Sequence, residues 1–291
     1  MSSQTAPVVV GYDGSQASSA AITWATTEAM REHTPLRIVE VFELVVVDRP
    51  SPGKVVPLAA LRAVRERGLE ALAESVRLRH PDLHVETLLL EGSPSPALIE
   101  ETAQARMLVL GSRGLGGFTG MILGSVAVQV SAHAHCPVVV VPPDTLPTLH
   151  NRRRVVVGVD GSKLSAKAID FAFEQAEAIG ARVVAVHAWN SPFSTYENGR
   201  GELLFDNEQV RKASEVLVAE ALSGPRADHP DIEVDIDLIP GQPARALLHA
   251  GEAADLMVVG SRGRGGFTGL LLGSTSQQVL HHARCPVAVV R

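Results

Sequence analysis

Gly111–Ser125 reads GSRGLGGFTGMILGS, and Gly260–Ser274 reads GSRGRGGFTGLLLGS. Glycine loses more backbone freedom on folding than any other residue, so such a run destabilises a chain unless bare backbone is needed there. Backbone N–H groups clear of any Cβ, beside a helix N-terminus, make a cradle for an anion such as a phosphate. Gly111, Gly114, Gly116 and Gly117 supply that backbone in the first copy; Gly260, Gly263, Gly265 and Gly266 supply it in the second. Gly124 with Ser125, and Gly273 with Ser274, stand where a helix is expected to begin. There the serine offers a hydroxyl and an N–H to phosphate oxygens. The competing reading is a glycine turn that only lets helix and sheet pack closely. Equal glycine spacing in both copies argues against a free linker.

Two familiar phosphate loops do not fit. A P-loop needs a lysine and a hydroxyl residue after its second glycine, and neither copy has a lysine. The dinucleotide fingerprint belongs after a first strand and needs G-x-G-x-x-G; here Gly114-Leu115-Gly116 runs straight into Gly117-Phe118-Thr119.

The glycine stretches belong to a longer repeat. VVVGYDGS (Val8–Ser15) matches VVVGVDGS (Val155–Ser162), HPDLHVETLLLEGSPSPAL matches HPDIEVDIDLIPGQPARAL, and HCPVVVV matches RCPVAVV. The halves are colinear duplicates, which points to two domains. The expected boundaries are 1–143 and 154–291, with a linker at 144–153 inside the proline-rich, polar stretch Pro142–Arg154. Within the first half, short apolar runs alternate with helical patterns. Strands are expected near Val8–Val10, Arg37–Leu44, Val85–Leu90, Met107–Leu110 and Val138–Val141. Helices are expected near Ser15–Glu32, Leu58–Arg79, Pro96–Gln104 and Ser125–Ala134. Nearly continuous apolar strands joined by helical crossovers predict an α/β fold: two tandem, doubly wound, five-stranded parallel-sheet domains of Rossmann-like type. Ligands of such sheets sit beyond the strand carboxyl ends where the strand order reverses. If strands one and four are neighbours there, Asp13 and the glycine stretch face one crevice.

Composition narrows the partners. Of 291 residues, 45% are hydrophobic, and the net charge is −6 with the charges well mixed. No lysine/arginine block tracks a phosphate backbone, so nucleic acid is not an expected partner. No apolar run reaches the roughly 18 residues of a membrane helix, and no basic segment precedes the first apolar run as in a signal peptide. The two cysteines, Cys136 and Cys285, are equivalent in the repeat and suggest a reduced, cytoplasmic setting. His133, His135 and Cys136, like His281, His282 and Cys285, hint at metal ligands. Their spacing differs between copies, which favours buried structural cysteines with histidines at helix ends.

The spacing Gly111-x2-Gly114-x9-Gly124-Ser125, with its twin Gly260-x2-Gly263-x9-Gly273-Ser274, resembles the ATP-binding branch of the universal stress protein family. The resemblance covers nearly the whole chain and includes the openings VVVGYDGS and VVVGVDGS. It implies an adenine nucleotide alpha hydrolase-like fold and one ATP per half, two per chain, with Mg²⁺ on the phosphates. By position it places Gly11 and Asp13, and Gly158 and Asp160, beside the ribose and phosphates. The backbone of Val41, or Ala188, would pair with adenine. Gly111 to Gly117, with Ser112, Arg113 and Leu115, would wrap the ribose and phosphates, as would Gly260 to Gly266 with Ser261, Arg262 and Arg264. Gly124, Ser125 and Val126, and Gly273, Ser274 and Thr275, would stand at the phosphate end. No protein metal ligand and no catalytic residue is assigned. The resemblance also implies pairing of the halves through their fifth strands as a pseudo-dimer within the chain, and it allows a homodimer.

The copies differ at Leu115, which becomes Arg264; a guanidinium pointing inward strengthens phosphate contact. They also differ in the loops DRPSPGKVVP and NSPFSTYENGRGELLF, so unlike lids are expected over the two sites. Hydrolysis needs a positioned base or water-orienting group besides charge clamps, and no repeated residue is free for that role. Nucleotide binding with at most slow turnover is therefore favoured, serving stress response or growth regulation through nucleotide-dependent contacts with unidentified protein partners. A slow ATP hydrolase and a cyclic AMP binder are the alternatives.

Overall fold

A computed structural model of the chain describes residues 6–43, 57–115, 123–145, 152–189, 207–264 and 271–291. They fall into two compact units, Met1–Pro143 and Asp144–Arg291.

The first unit runs β1 (Val8–Tyr12), α1 (Gln16–Arg31), β2 (Leu36–Phe42), α2 (Leu58–Arg79), β3 (Val85–Glu91), α3 (Pro94–Glu101), β4 (Met107–Gly111), α4 (Ser125–His133) and β5 (Val138–Val141). Its strands are parallel, in the order β3-β2-β1-β4-β5. The second unit repeats this with β6 (Arg154–Gly158), α5 (Lys163–Ile179), β7 (Arg182–Trp189), α6 (Asn207–Asp228), β8 (Val234–Pro240), α7 (Pro243–Gly251), β9 (Leu256–Gly260), α8 (Ser274–His282) and β10 (Val287–Val290). Its order is β8-β7-β6-β9-β10, again parallel. In both units the first strand pairs with the second on one side and the fourth on the other. That is the reversal of strand order at which such sheets open a crevice.

Helices on both faces explain the apolar strands. Val8, Val9 and Val10, and Val155, Val156 and Val157, are fully buried. Each valine contributes about 1.5–3 kcal/mol relative to an exposed one. On α1 the buried stripe is Ala17, Ala21, Ala25 and Ala29, four residues apart and so on one helix face. Small side chains let that helix lie close to the sheet. The closest approach is at Gly111, where a Cβ would stand 2.5 Å from the carbonyl carbon of Ala17 and 2.7 Å from the nitrogen of Ser18. Gly260 meets Leu164 in the same way at 3.1 Å. The glycine that opens the first motif is thus required by helix–strand packing, and the one that opens the second sits in a looser form of the same contact.

The third helix starts earlier than its sequence pattern predicts, at Pro94 rather than Pro96, with Ser93 as N-cap. Proline at the first helical position has a preset φ and no N–H to waste, so either Ser-Pro pair of GSPSP could open the helix.

The duplication also provides an internal comparison of helix ends. His33 follows α1 with φ 53°, and its twin Gly180 follows α5 with φ 61°. Both positions carry the same closure, Thr34 N–H to Ala29 O at 3.0 Å and Ala181 N–H to Ala176 O at 2.8 Å. A left-handed conformation costs a non-glycine residue about 1–2 kcal/mol, and glycine gives back about 0.5–1 kcal/mol in chain entropy. His33→Gly should therefore stabilise the first unit by about 0.5 kcal/mol. Urea unfolding checks this, and a lowered midpoint would contradict it.

Candidate functional site

The strand-four loop leaves the sheet at a fixed point and returns to it. Ser112 N–H donates to Val141 O at 2.9 Å, and Gly124 N–H donates back to Ser112 O at 2.8 Å. Ser261 to Val290 and Gly273 to Ser261 repeat these bonds, both at 2.8 Å. The two ends of the loop are therefore pinned together above β4 and β9, where the next helix begins. Gly116, Gly117, Gly265 and Gly266 lie outside the described residues, as do residues 48–56 and 190–205 of the two variable loops.

Asp13 ties this loop to the end of the first strand. Its Oδ1 accepts the Ser15 N–H at 3.0 Å, and its Oδ2 accepts the Leu115 N–H at 3.1 Å. Asp160 does the same for Ser162 at 2.9 Å and Arg264 at 3.0 Å. The aspartates are therefore latches between strand one and the glycine loop. Gly114 sits inside the latch: a Cβ there would stand 2.5 Å from Asp13 Oδ2, and Gly263 is crowded by Asp160 in the same manner. In the first unit Ser15 adds a third tie, its hydroxyl donating to Arg113 O at 3.1 Å.

Helix starts differ in how their donors are used. Ser15 caps α1 by accepting the Ser18 N–H, and Ser162 caps α5 by accepting the Ser165 N–H, both at 3.1 Å. The N-caps of α4 and α8 are Gly124 and Gly273, with no side-chain cap. Their first-turn N–H groups thus receive no capping oxygen from the N-cap residue, beside the pinned loop, and the helix dipole there favours an anion. Ser125 and Ser274 are exposed, and Val126 and Thr275 half-buried.

In the second unit these parts line one crevice of about 610 Å³. Gly158 and Asp160 come from the first strand, Ala188 from the second, Gly260, Arg262, Gly263 and Arg264 from the fourth-strand loop, and Gly273, Ser274 and Thr275 from the start of α8. That size falls within the roughly 300–1,000 Å³ usual for small-molecule sites. Ser261 lies beneath it, buried, with its hydroxyl lacking a hydrogen-bond partner. Ala188 lies past the last rung shared with β6, Gly158 with Val186; Val41 lies past Tyr12 with Glu40. Arg262 and Arg113 are exposed. The Arg264 guanidinium turns back to donate to Gly161 O at 3.3 Å. Burial, and then the like charge of Arg262, pull the Arg291 guanidinium below its ordinary range.

Several lining residues escape a reading based on motifs. Val186, Pro243, Leu247 and Val259 form apolar wall, and Ser165 and Ser276 line it too. The signal available for Val259 was its place next to Gly260 at the end of the fourth strand. Ser276 donates to Gly260 O at 2.7 Å and braces the loop from the helix side.

Cys136 and Cys285 are free and buried, and burial pushes both thiols up to about 12. They stay protonated at ordinary pH and have the character of core residues. Among the described residues no His/Cys/Asp/Glu cluster could hold a metal ion, and no helix is long and apolar enough to cross a membrane.

The sequence profile of the universal stress protein family matches residues 5–142 and again 151–291. A universal stress protein of Mycobacterium tuberculosis is 37% identical to this chain, covering 98% of it and 96% of the relative. One from Mycolicibacterium smegmatis is 35% identical over the same shares. In fold, the chain resembles the crystal structure of a universal stress protein from Archaeoglobus fulgidus, with a TM-score of 0.69, 23% identity and 98% of each chain covered. With two family matches in tandem and relatives alike along nearly their whole length, the chain belongs to the universal stress protein family.

Proposed function

We propose that each half binds one adenine nucleotide, ATP, in the crevice between the first and fourth strands. The observation that carries this is the pairing of a glycine-capped helix N-terminus with a pinned, latched glycine loop, repeated in both units. Backbone N–H groups of the loop and of the first turn of α4 or α8 hold the phosphates. Ser125 and Ser274 add hydroxyls, and Arg113 and Arg262 add charge. The ends of β2 and β7, at Val41 and Ala188, run past the first strand of their unit while still paired with the third, and offer main chain to the base on the first strand's side. Mg²⁺ would arrive with the nucleotide and neutralise charge on its phosphates, beside Asp13 or Asp160, each of whose oxygens accepts a backbone N–H. The bound and empty states present different surfaces to partner proteins in stress response or growth regulation.

Mass analysis of the small molecules released on denaturing freshly purified protein tests the assignment. ATP or ADP supports it; cyclic AMP alone would replace it. Each oxygen of Asp13 and of Asp160 accepts a backbone N–H, which favours a holding role for these carboxylates over that of a general base. ATP incubated with stoichiometric protein and Mg²⁺ should survive for hours. Several turnovers per minute, lost in Asp160→Ala, would contradict this.

A further inference from the structure

The matching positions beneath the two glycine loops are not packed alike. In the first unit the space above Gly11 is taken by Leu110, whose Cδ2 lies 2.6 Å from where a glycine Cβ would be. In the second unit the matching residue is Val259, a methylene shorter, at 3.7 Å from the same point on Gly158; the nearest atom there is Leu247 Cδ1 at 3.3 Å. The end of the second strand changes in the same direction, since Val41 becomes Ala188 and loses both γ-methyls. Both larger residues belong to packed surroundings: Leu110 is 4% exposed, and Val41 is half-buried. Densely packed walls do not yield freely to an added methylene.

We propose that Leu110, with Val41 larger than its counterpart Ala188, restricts the apolar floor of the first half's site, so that the second half takes up adenine nucleotide more tightly than the first. Leu110 and Val259 are then specificity-determining residues that make the duplicated sites unequal. The floor acts at the nucleoside end, separately from Arg264, whose guanidinium rests on Gly161 O. This rests on the nucleotide reading given above.

Calorimetric titration of the full chain with Mg-ATP separates the halves when one glycine loop is blocked at a time. Gly263→Val leaves the first crevice, and Gly114→Val leaves the second; urea unfolding confirms that each variant is folded. The second crevice should bind about tenfold more tightly, equivalent to about 1.4 kcal/mol. Adding Leu110→Val to Gly263→Val should tighten the first crevice severalfold. Adding Val259→Leu to Gly114→Val should weaken the second by a similar factor. Equal affinities, a tighter first crevice, or affinities that ignore both floor substitutions would overturn the inference and leave nucleotide binding standing. Unmodified protein that takes up no ATP would overturn the nucleotide reading and the inference with it.

Discussion

Valine at both Gly114 and Gly263 should weaken ATP binding by about a hundredfold in a protein that still folds. A Cβ at Gly114 lands 2.5 Å from Asp13 Oδ2, well inside van der Waals contact, and Gly263 meets Asp160 equivalently. The branched side chain must push the loop away from the carboxylate or the carboxylate away from the loop. Either movement breaks the bonds from the Leu115 and Arg264 N–H groups and displaces the loop donors proposed to hold the phosphates. An anion held by several converging donors is sensitive to their placement. Losing the equivalent of two charge-assisted bonds, about 3 kcal/mol, lowers affinity by about a hundredfold. The core is spared, because Gly114 and Gly263 are exposed, past the carboxyl ends of β4 and β9. Calorimetry with Mg-ATP, alongside circular dichroism, checks both halves of the statement. Undiminished binding in a folded double variant would remove the loop from the site.

Asp13→Ala combined with Asp160→Ala should be nearly as damaging, by a different route. No donor that faces the nucleotide is moved directly; the loop loses its tether to the first strand. Each carboxylate accepts two backbone N–H bonds, one local and one from the loop. Asp13 is exposed and Asp160 half-buried, so water replaces much of what is lost and the fold survives. Affinity should fall about tenfold, from the added cost of ordering the loop on binding. Asparagine at both positions keeps one acceptor and offers its NH₂ where the other N–H stands, so it should rescue only part of the loss. Full affinity in the alanine double variant, read by the same titration, would show that the latch does not prepare the site.

Much of this architecture can be read from residue patterns. Apolar runs bounded by helical periodicity place α2 at Leu58–Arg79 and β5 at Val138–Val141, because those elements depend on local signals. Glycine spacing and the repeated strand-one aspartate point to part of the lining of the second crevice, among it Gly158, Asp160, Gly260, Gly263 and Gly273. What patterns do not carry is the contact that explains each residue. Asp13 holds a backbone N–H 102 residues away, and Gly111 is pressed against the main chain of α1. A glycine needed for packing and one needed for a ligand look alike in a sequence, and only the fold separates Gly111 from Gly114. Arg264 shows the same limit. Its appearance inside the motif suggests an inward charge, yet its guanidinium rests on the carbonyl of Gly161. The unequal floors depend on whether Leu110 covers Gly11, a matter of side-chain direction at neighbouring strand ends.

Nucleotide stoichiometry tests the central claim most directly. Native mass spectrometry of the full chain with excess Mg-ATP should show two nucleotides per chain. Gly114→Val and Gly263→Val should each reduce that number to one, and their combination should reduce it to none. A chain that takes up no ATP, or one whose stoichiometry is unmoved by either substitution, would contradict a nucleotide held by the glycine loop of each half.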